Sequence, residues 1–249
     1  MRILLANDDG IMAEGIYTLA KELEKDHEII IVAPDVQRSA QSHAITLGQD
    51  LIVKEVELEG LKSKSYSVSG TPADCVRVGL EVLAERQIDL VLSGINFGFN
   101  SGMDILYSGT VSAAIEGNIY KIPSIAISAE VKEGNARFDI AAKYTRQILE
   151  SSMDKLVKSN IVLNINVPYR DEEDILGIKI CKIGGPIYDD YFMEHSETGE
   201  KVLKLKGRKD MEAEEATDRF YLNEGYVTVT PLYYNLTNFR LLEEVKTWI

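Results

Sequence analysis

Short, continuously apolar runs separated by helix-patterned segments constrain this chain more than any other feature. "EIIIVA" (28–33) and "IDLVLS" (88–93) do not alternate apolar with polar residues. A strand reads this way when both of its faces are buried, as in a parallel sheet covered by helices. Strand-like runs also fall at 2–7, 124–128 and 161–167, with "KSYSVS" (64–69) as a further strand. Between them lie helical patterns. At 13–26, Ile16, Leu19, Ala20 and Leu23 share one face. The segment 71–87 opens with Thr71 as N-cap, Pro72 at the first helical position and Asp74 in the first turn. Segments 110–121 and 136–152 complete the set. Strand–helix alternation predicts an α/β fold: a doubly wound, mostly parallel sheet with helices on both faces. "AITL" (44–47) and "LIVKEVEL" (51–58) read as an extended insertion.

The texture changes after about residue 180, where charge, Tyr and Gly accumulate. Hairpin-like pieces fall around Glu200–Lys206 and Tyr226–Thr230. The last residues place Leu241, Leu242, Val245 and Trp248 on one side of a short amphipathic helix. Such a helix is marginal without a packing partner. Two organisations fit this region: an arm and terminal helix used between copies of the chain, or a β-rich cap on the same chain.

Composition removes several classes of function. A formal charge of −13 disfavours a nucleic-acid polymer as partner. No apolar run is long enough to span a bilayer, and Met1-Arg2 leads directly into Ile3 with no signal-like segment. Cys75 and Cys181 are far apart and form no CxxC, so both are expected as reduced thiols in a cytoplasmic protein.

Three loops leave the carboxyl ends of predicted parallel strands, where open α/β sheets bind ligands. The first, "NDDG", sets Asp8 beside Asp9. Adjacent carboxylates repel, so they mark either a solvated turn or a cation site. The second is "APDVQRSAQSHAITL" and the third "SGINFGFNSGMDILYSGTVSAA". Both exceed the roughly two to six residues that such connections need. Asp8 and Asp9, a hydroxyl of the second loop and an amide of the third make an all-oxygen set, which suits Mg²⁺ or Mn²⁺. With three histidines in the chain, a His-rich zinc site is disfavoured. Ser108-Gly109-Thr110 precedes a predicted helix, and helix N-termini bind anions. There is no P-loop, no G-x-G-x-x-G after the first strand and no G-x-S-x-G elbow. His43 could protonate a leaving group, although a structural role is commoner for such a residue.

These segments together carry a family resemblance. "MRILLANDDGI", "VAPDVQRSAQSHAITL", "SGTPADCV", "DLVLSGINFGFNSGMDILYSGTVSAAIEG" and "IPSIAIS" resemble the SurE (survival protein E) family of metal-dependent 5′/3′-nucleotidases. The resemblance implies a Rossmann-like core, here 1–180, and a C-terminal hairpin arm with a terminal helix, here 181–249. That arm would build a homodimer or homotetramer. It also implies one divalent metal ion, Mg²⁺ or Mn²⁺, held by Asp8, Asp9, Ser39 and Asn96. Ser39 comes from the resemblance alone, since Ser42 lies close by. Phosphate contacts are implied for Asn100, Ser108, Gly109 and Thr110. The second loop departs from the family's pattern at Ala40, where many members carry Gly.

The implied activity is hydrolysis of nucleoside monophosphates to nucleoside and phosphate. Asp8 and Asp9 would be catalytic, and water would attack phosphorus without a covalent intermediate. Two rivals are weaker. A haloacid-dehalogenase-type phosphatase needs acids two residues apart, which neither Asn7 nor Asp8 provides with its partner. A nucleotide or metal sensor would bind without turnover.

Overall fold

The computed structural model describes residues 1–186, 189–195, 200–208 and 213–249. Its elements run β1 (Arg2–Ala6), α1 (Glu14–Leu23), β2 (Glu28–Pro34), β3 (Val53–Val56), β4 (Lys64–Val68), α2 (Pro72–Val78), β5 (Leu90–Phe97) and α3 (Gly109–Ile119). There follow β6 (Ser124–Ala129), the short pair β7 (Val131–Lys132) and β8 (Asn135–Ala136), α4 (Phe138–Leu156), β9 (Val162–Val167) and β10 (Ile178–Ile180). The C-terminal part contributes β11 (Asp189–His195), β12 (Lys201–Arg208), α5 (Asp218–Glu224), β13 (Val227–Leu232) and α6 (Leu242–Val245).

Nine strands form one sheet in the order β10-β13-β9-β6-β5-β1-β2-β4-β3. The pairings are parallel except β3 with β4 and β13 with β9. The apolar runs explain this directly. On β1, Ile3 and Leu5 point into the cluster that holds Ile16 and Leu19 of α1 and Ile140 and Leu149 of α4. Leu4 and Ala6 point the other way, towards Cys75 and Val76 of α2 and Ala113 of α3. All four β1 side chains are fully buried. Each such Leu or Ile contributes roughly 1.5–3 kcal/mol by leaving water.

The helices start where the sequence signals them. Thr71 and Asp74 close a reciprocal capping box at the head of α2, with Pro72 in its first turn. The segment does not stay α-helical to residue 87, because Gly79–Leu83 form a π-helical turn. Gly79 lies against Leu4, whose methyl carbons would be 2.9 Å from an added Cβ, so the chain passes close to β1 there.

The chain reverses direction across the sheet at β1, which lies between β2 and β5. Its carboxyl end is therefore a topological switch point, and Asn7-Asp8-Asp9 emerge there.

Two expectations for the C-terminal part change. Tyr226–Thr230 is not a hairpin piece: β13 returns to the main sheet, antiparallel to β9. Its run "VTVT" is buried throughout, which a free hairpin would not allow. The terminal helix shrinks to Leu242–Val245, and none of its residues is buried. The other hairpin is present as β11 paired antiparallel with β12, outside the main sheet. No strand forms over "AITL"; of the proposed insertion only Val53–Val56 pairs, with β4.

Candidate metal and phosphate site

The switch point gathers all three loops. Asn7 closes the first turn on itself: its amide donates to Gly10 O at 2.9 Å and its carbonyl accepts from Gly10 N at 3.2 Å. Gly10 has φ +102°, the left-handed region that favours glycine. The backbone N–H of Arg38 donates to Asp8 O at 2.7 Å and fastens the second loop to the first.

Asp8 is 4% exposed. Its Oδ1 accepts from the Thr110 hydroxyl at 2.5 Å. The first turn of α3 packs directly on it, since a Cβ on Gly109 would sit 2.8 Å from Asp8 Cβ. Asp9 is held from two sides. Phe97 N–H donates to its Oδ2 at 3.0 Å, and Gln37 Nε2 to its Oδ1 at 3.3 Å. Gln37 also donates to Ser39 Oγ at 2.9 Å, so it bridges Asp9 and Ser39.

Asn96 reaches the site because β5 breaks step with β6 between Ser93 and Asn96. Gly94, at φ +137°, makes the break possible; a Cβ there would lie 2.3 Å from Ile127 O. Asn96 Nδ2 donates to Gly98 O at 2.8 Å, which leaves its carbonyl oxygen as the uncommitted end.

Electrostatics separate the two acids from the rest of the surface. Burial pushes the Asp8 carboxyl up to about 6; the Thr110 hydrogen bond opposes this, and the charge of Asp9 adds to it. Burial also raises Asp9, against the hydrogen bonds from Phe97 and Gln37. Among the described residues, no Lys, Arg or His forms an ion pair with either. A buried carboxylate beside a half-buried one, without a protein counter-charge, is costly. Both fit a hard divalent cation, as do the Ser39 hydroxyl and the Asn96 carbonyl. Among the described residues no cluster of three or more His, Cys, Asp or Glu could hold a metal. A cation here would depend on the neutral oxygens as well as the acids.

The implied phosphate residues fall into two groups. Ser108 caps α3 by accepting from Val111 N at 3.0 Å, and Thr110 is committed to Asp8. Among the described residues the backbone N–H of Gly109 has no partner. The anion-binding capacity of this turn therefore lies in its backbone and dipole rather than in its hydroxyls. Asn100 sits deeper, 8% exposed. Its side chain donates to Ser128 Oγ at 2.9 Å, and its backbone exchanges hydrogen bonds with Asn166 and accepts one from Asn164.

Sequence reasoning missed Gln37 and the Asn164–Asn166 support. The latter had a visible signal, two asparagines alternating within the otherwise apolar "IVLNINV". His43 does not face a free cleft with both nitrogens: its Nε2 lies 2.7 Å from Glu116, a buried acid of α3 that also pairs with Arg77 at 3.1 Å.

Known proteins similar to this chain share one family name. The family model described as survival protein SurE matches residues 3–190. A Clostridium tetani (strain Massachusetts / E88) protein named 5′-nucleotidase SurE is 50% identical over 248 residues, covering 100% of both chains. One from Clostridium botulinum (strain ATCC 19397 / Type A), with the same name, is 53% identical over 99% of this chain and 98% of its own. Among solved structures, the SurE protein from Aquifex aeolicus superimposes with a TM-score of 0.88 at 37% identity, over 100% of this chain and 99% of that one.

Proposed function

The chain belongs to the survival protein SurE family, and from that premise we propose that it is a 5′-nucleotidase. The enzyme is a phosphoric monoester hydrolase that releases phosphate from nucleoside monophosphates with the help of one divalent cation, Mg²⁺ or Mn²⁺. One observation carries the reading. A buried carboxylate with no protein counter-charge, Asp8, is clamped by Thr110 against the first turn of α3. Cation site and anion site thus share one wall.

In this reading Asp8, Asp9, Ser39 and Asn96 hold the cation. When bound, it neutralises phosphoryl charge and makes water a better nucleophile. The chain's own groups do the positioning. Thr110 fixes the rotamer of Asp8. Gln37 sets Asp9 and Ser39 at a constant separation. Asp9 Oδ1, the more loosely bonded of its two oxygens, takes a hydrogen bond from the attacking water and orients it. The Gly109 N–H and the α3 dipole receive the phosphoryl oxygens, with the remaining Asn100 amide N–H and the Ser108 turn at the rim.

The arm has a different task. Tyr191, Phe192, Met193, Leu203 and Leu205 of β11 and β12 are exposed, as are Leu236, Phe239 and Trp248. A lone two-stranded hairpin is marginal in water. These surfaces support self-association into a homodimer or homotetramer, with 181–249 as the assembling part and 1–180 as the catalytic part. No helix among the described residues is long and apolar enough to cross a membrane. With the charge of −13, this supports a cytoplasmic enzyme acting on free nucleotides rather than on a nucleic-acid polymer.

Phosphate release from a panel of nucleoside monophosphates, with Mg²⁺, Mn²⁺ or excess EDTA, tests the proposal. Release that needs the cation is expected. Nucleotide binding without release would replace the enzyme by a sensor.

A further inference from the structure

Asp218 is a second buried carboxylate, fully shielded from solvent at the head of α5 and far from Asp8 in sequence. Unlike Asp8, it is saturated. Its Oδ2 accepts from Gly102 N at 2.7 Å. Its Oδ1 accepts from Gly184 N and from its own neighbour's N–H, Arg219, at 2.8 Å each.

Those donors belong to different parts of the molecule. Gly102 lies in the third loop, between Asn100 and Ser108. Gly184 lies at the root of the hairpin arm, just before β11. The root is wedged in place by further backbone contacts: Asp218 N–H donates to Lys182 O at 2.9 Å, and Met103 N–H to Gly185 O at 3.5 Å. Gly102 has φ +58°, and a Cβ there would lie 2.9 Å from Gly185 O. Arg219 adds an ion pair with Asp104 of the same loop at 3.7 Å.

A buried carboxylate is retained at considerable cost unless its hydrogen bonds are needed. Here one bond reaches the phosphate loop and another the arm root, so the two are joined through Asp218 at the head of α5. We propose that Asp218 is a positioning residue for the reaction: it fixes the loop carrying Asn100 and Ser108 to the root of the arm, and so sets where the phosphoryl group sits. This rests on the nucleotidase reading. Asp8, Asp9 and Ser39 lie in the other two loops, and Asn96 stands on β5 ahead of the clamped stretch 98–108, so cation binding should be spared while substrate placement is not. A displacement of about 1 Å at such a loop costs on the order of 100-fold in rate.

The test uses the full chain with Mn²⁺. Asp218→Asn turns an N–H donor towards a backbone N–H, and Gly102→Ala pushes loop and root apart while keeping the acid. Ile148→Val on α4 serves as a comparison of lowered stability. For both clamp variants kcat/KM on a nucleoside 5′-monophosphate is expected to fall about 10- to 100-fold. Mn²⁺ affinity by calorimetry should stay within about twofold, and amide hydrogen exchange should speed up over 98–108. Ile148→Val should change none of these. The proposal is overturned if folded clamp variants keep kcat/KM within about twofold of wild type. It is equally overturned if Mn²⁺ affinity falls in step with kcat/KM, because the whole site would then have loosened. If Asp218→Asn does not fold, Gly102→Ala decides. A wild-type protein that releases no phosphate would defeat the nucleotidase reading instead; accelerated exchange over 98–108 in the variants would still establish the clamp, and unchanged exchange would refute it.

Discussion

Asp8 and Asp218 are both carboxylates removed from water, yet they are treated in opposite ways. Asp218 takes three backbone N–H bonds at 2.7–2.8 Å, from the third loop, the arm root and its own helix. Asp8 is held mainly by the Thr110 hydroxyl, with smaller help from the backbone of Thr110 and of Asp8 itself, has another acid as its neighbour, and is pushed up to about 6 chiefly by burial. In the reading proposed above, the difference separates a structural acid from a functional one. A satisfied acid holds segments together. An unsatisfied acid stores a cost that a ligand of opposite charge relieves on binding.

The largest effect should come from the unsatisfied member. Asp8→Asn is expected to lower kcat/KM by at least about 10³-fold, comparable to losing a principal electrostatic element of a site. In EDTA the same variant should unfold at or slightly above the wild-type temperature, because it removes an uncompensated buried charge. Asp218→Ala should instead lose about 2–4 kcal/mol, two buried donors and a part-buried one being orphaned at once. Thermal unfolding of the two side by side measures this contrast, and equal destabilisation would erase it.

Cation linkage sharpens the contrast. Mn²⁺ at about 100 times its Kd should stabilise the wild type by about 2.7 kcal/mol. For a chain of this size that is a rise of roughly 5–10 °C in Tm. Asp8→Asn should show no rise, and Ile148→Val the full one.

Gly109→Ala probes the wall shared by cation and anion. Its Cβ would press within 3.0 Å of Asp8 Oδ2. Either the acid or the helix must move, and kcat/KM should fall about 10- to 100-fold. A variant with wild-type kinetics would show that α3 need not touch Asp8.

Asp74 gives the smallest effect and checks the satisfied class. Burial opposes its ionisation, but hydrogen bonds from Thr46 and Thr71 outweigh burial and hold its carboxyl below the usual range. A lowered folded-state pKa contributes stability above the unfolded value near 4, and that contribution is lost as pH falls through the folded value. Asp74→Asn should therefore cost about 1 kcal/mol at pH 7. The gap to wild type should narrow as pH falls from the unfolded value near 4 through the lower folded-state value in denaturant titrations.

Much of this was legible in the sequence for a physical reason. Continuous apolar strands such as "EIIIVA" encode burial on two faces, which, between helix-patterned segments, a helix-covered parallel sheet satisfies. From that sheet follows the switch point, and with it the place of Asp8-Asp9 at the carboxyl end of β1. The sequence was silent where a role depends on partners distant along the chain. Gln37 matters only because folding sets it between Asp9 and Ser39. Asp218 looks like an ordinary first-turn acid until Gly102 and Gly184 close on it. Tyr226–Thr230 reads as a hairpin piece because periodicity does not say which strand it joins; antiparallel pairing of β13 with β9 decides that.

The most direct test titrates Mn²⁺ into wild type and Asp8→Asn while phosphate release from a nucleoside monophosphate is followed in the same samples. The expected result is one high-affinity Mn²⁺ per wild-type chain, with hydrolysis rising in proportion to occupancy, and neither in the variant. Hydrolysis that persists in EDTA, or a variant that binds Mn²⁺ and turns over as well as wild type, would contradict the claim that Asp8 and Asp9 hold the cation that makes this site work.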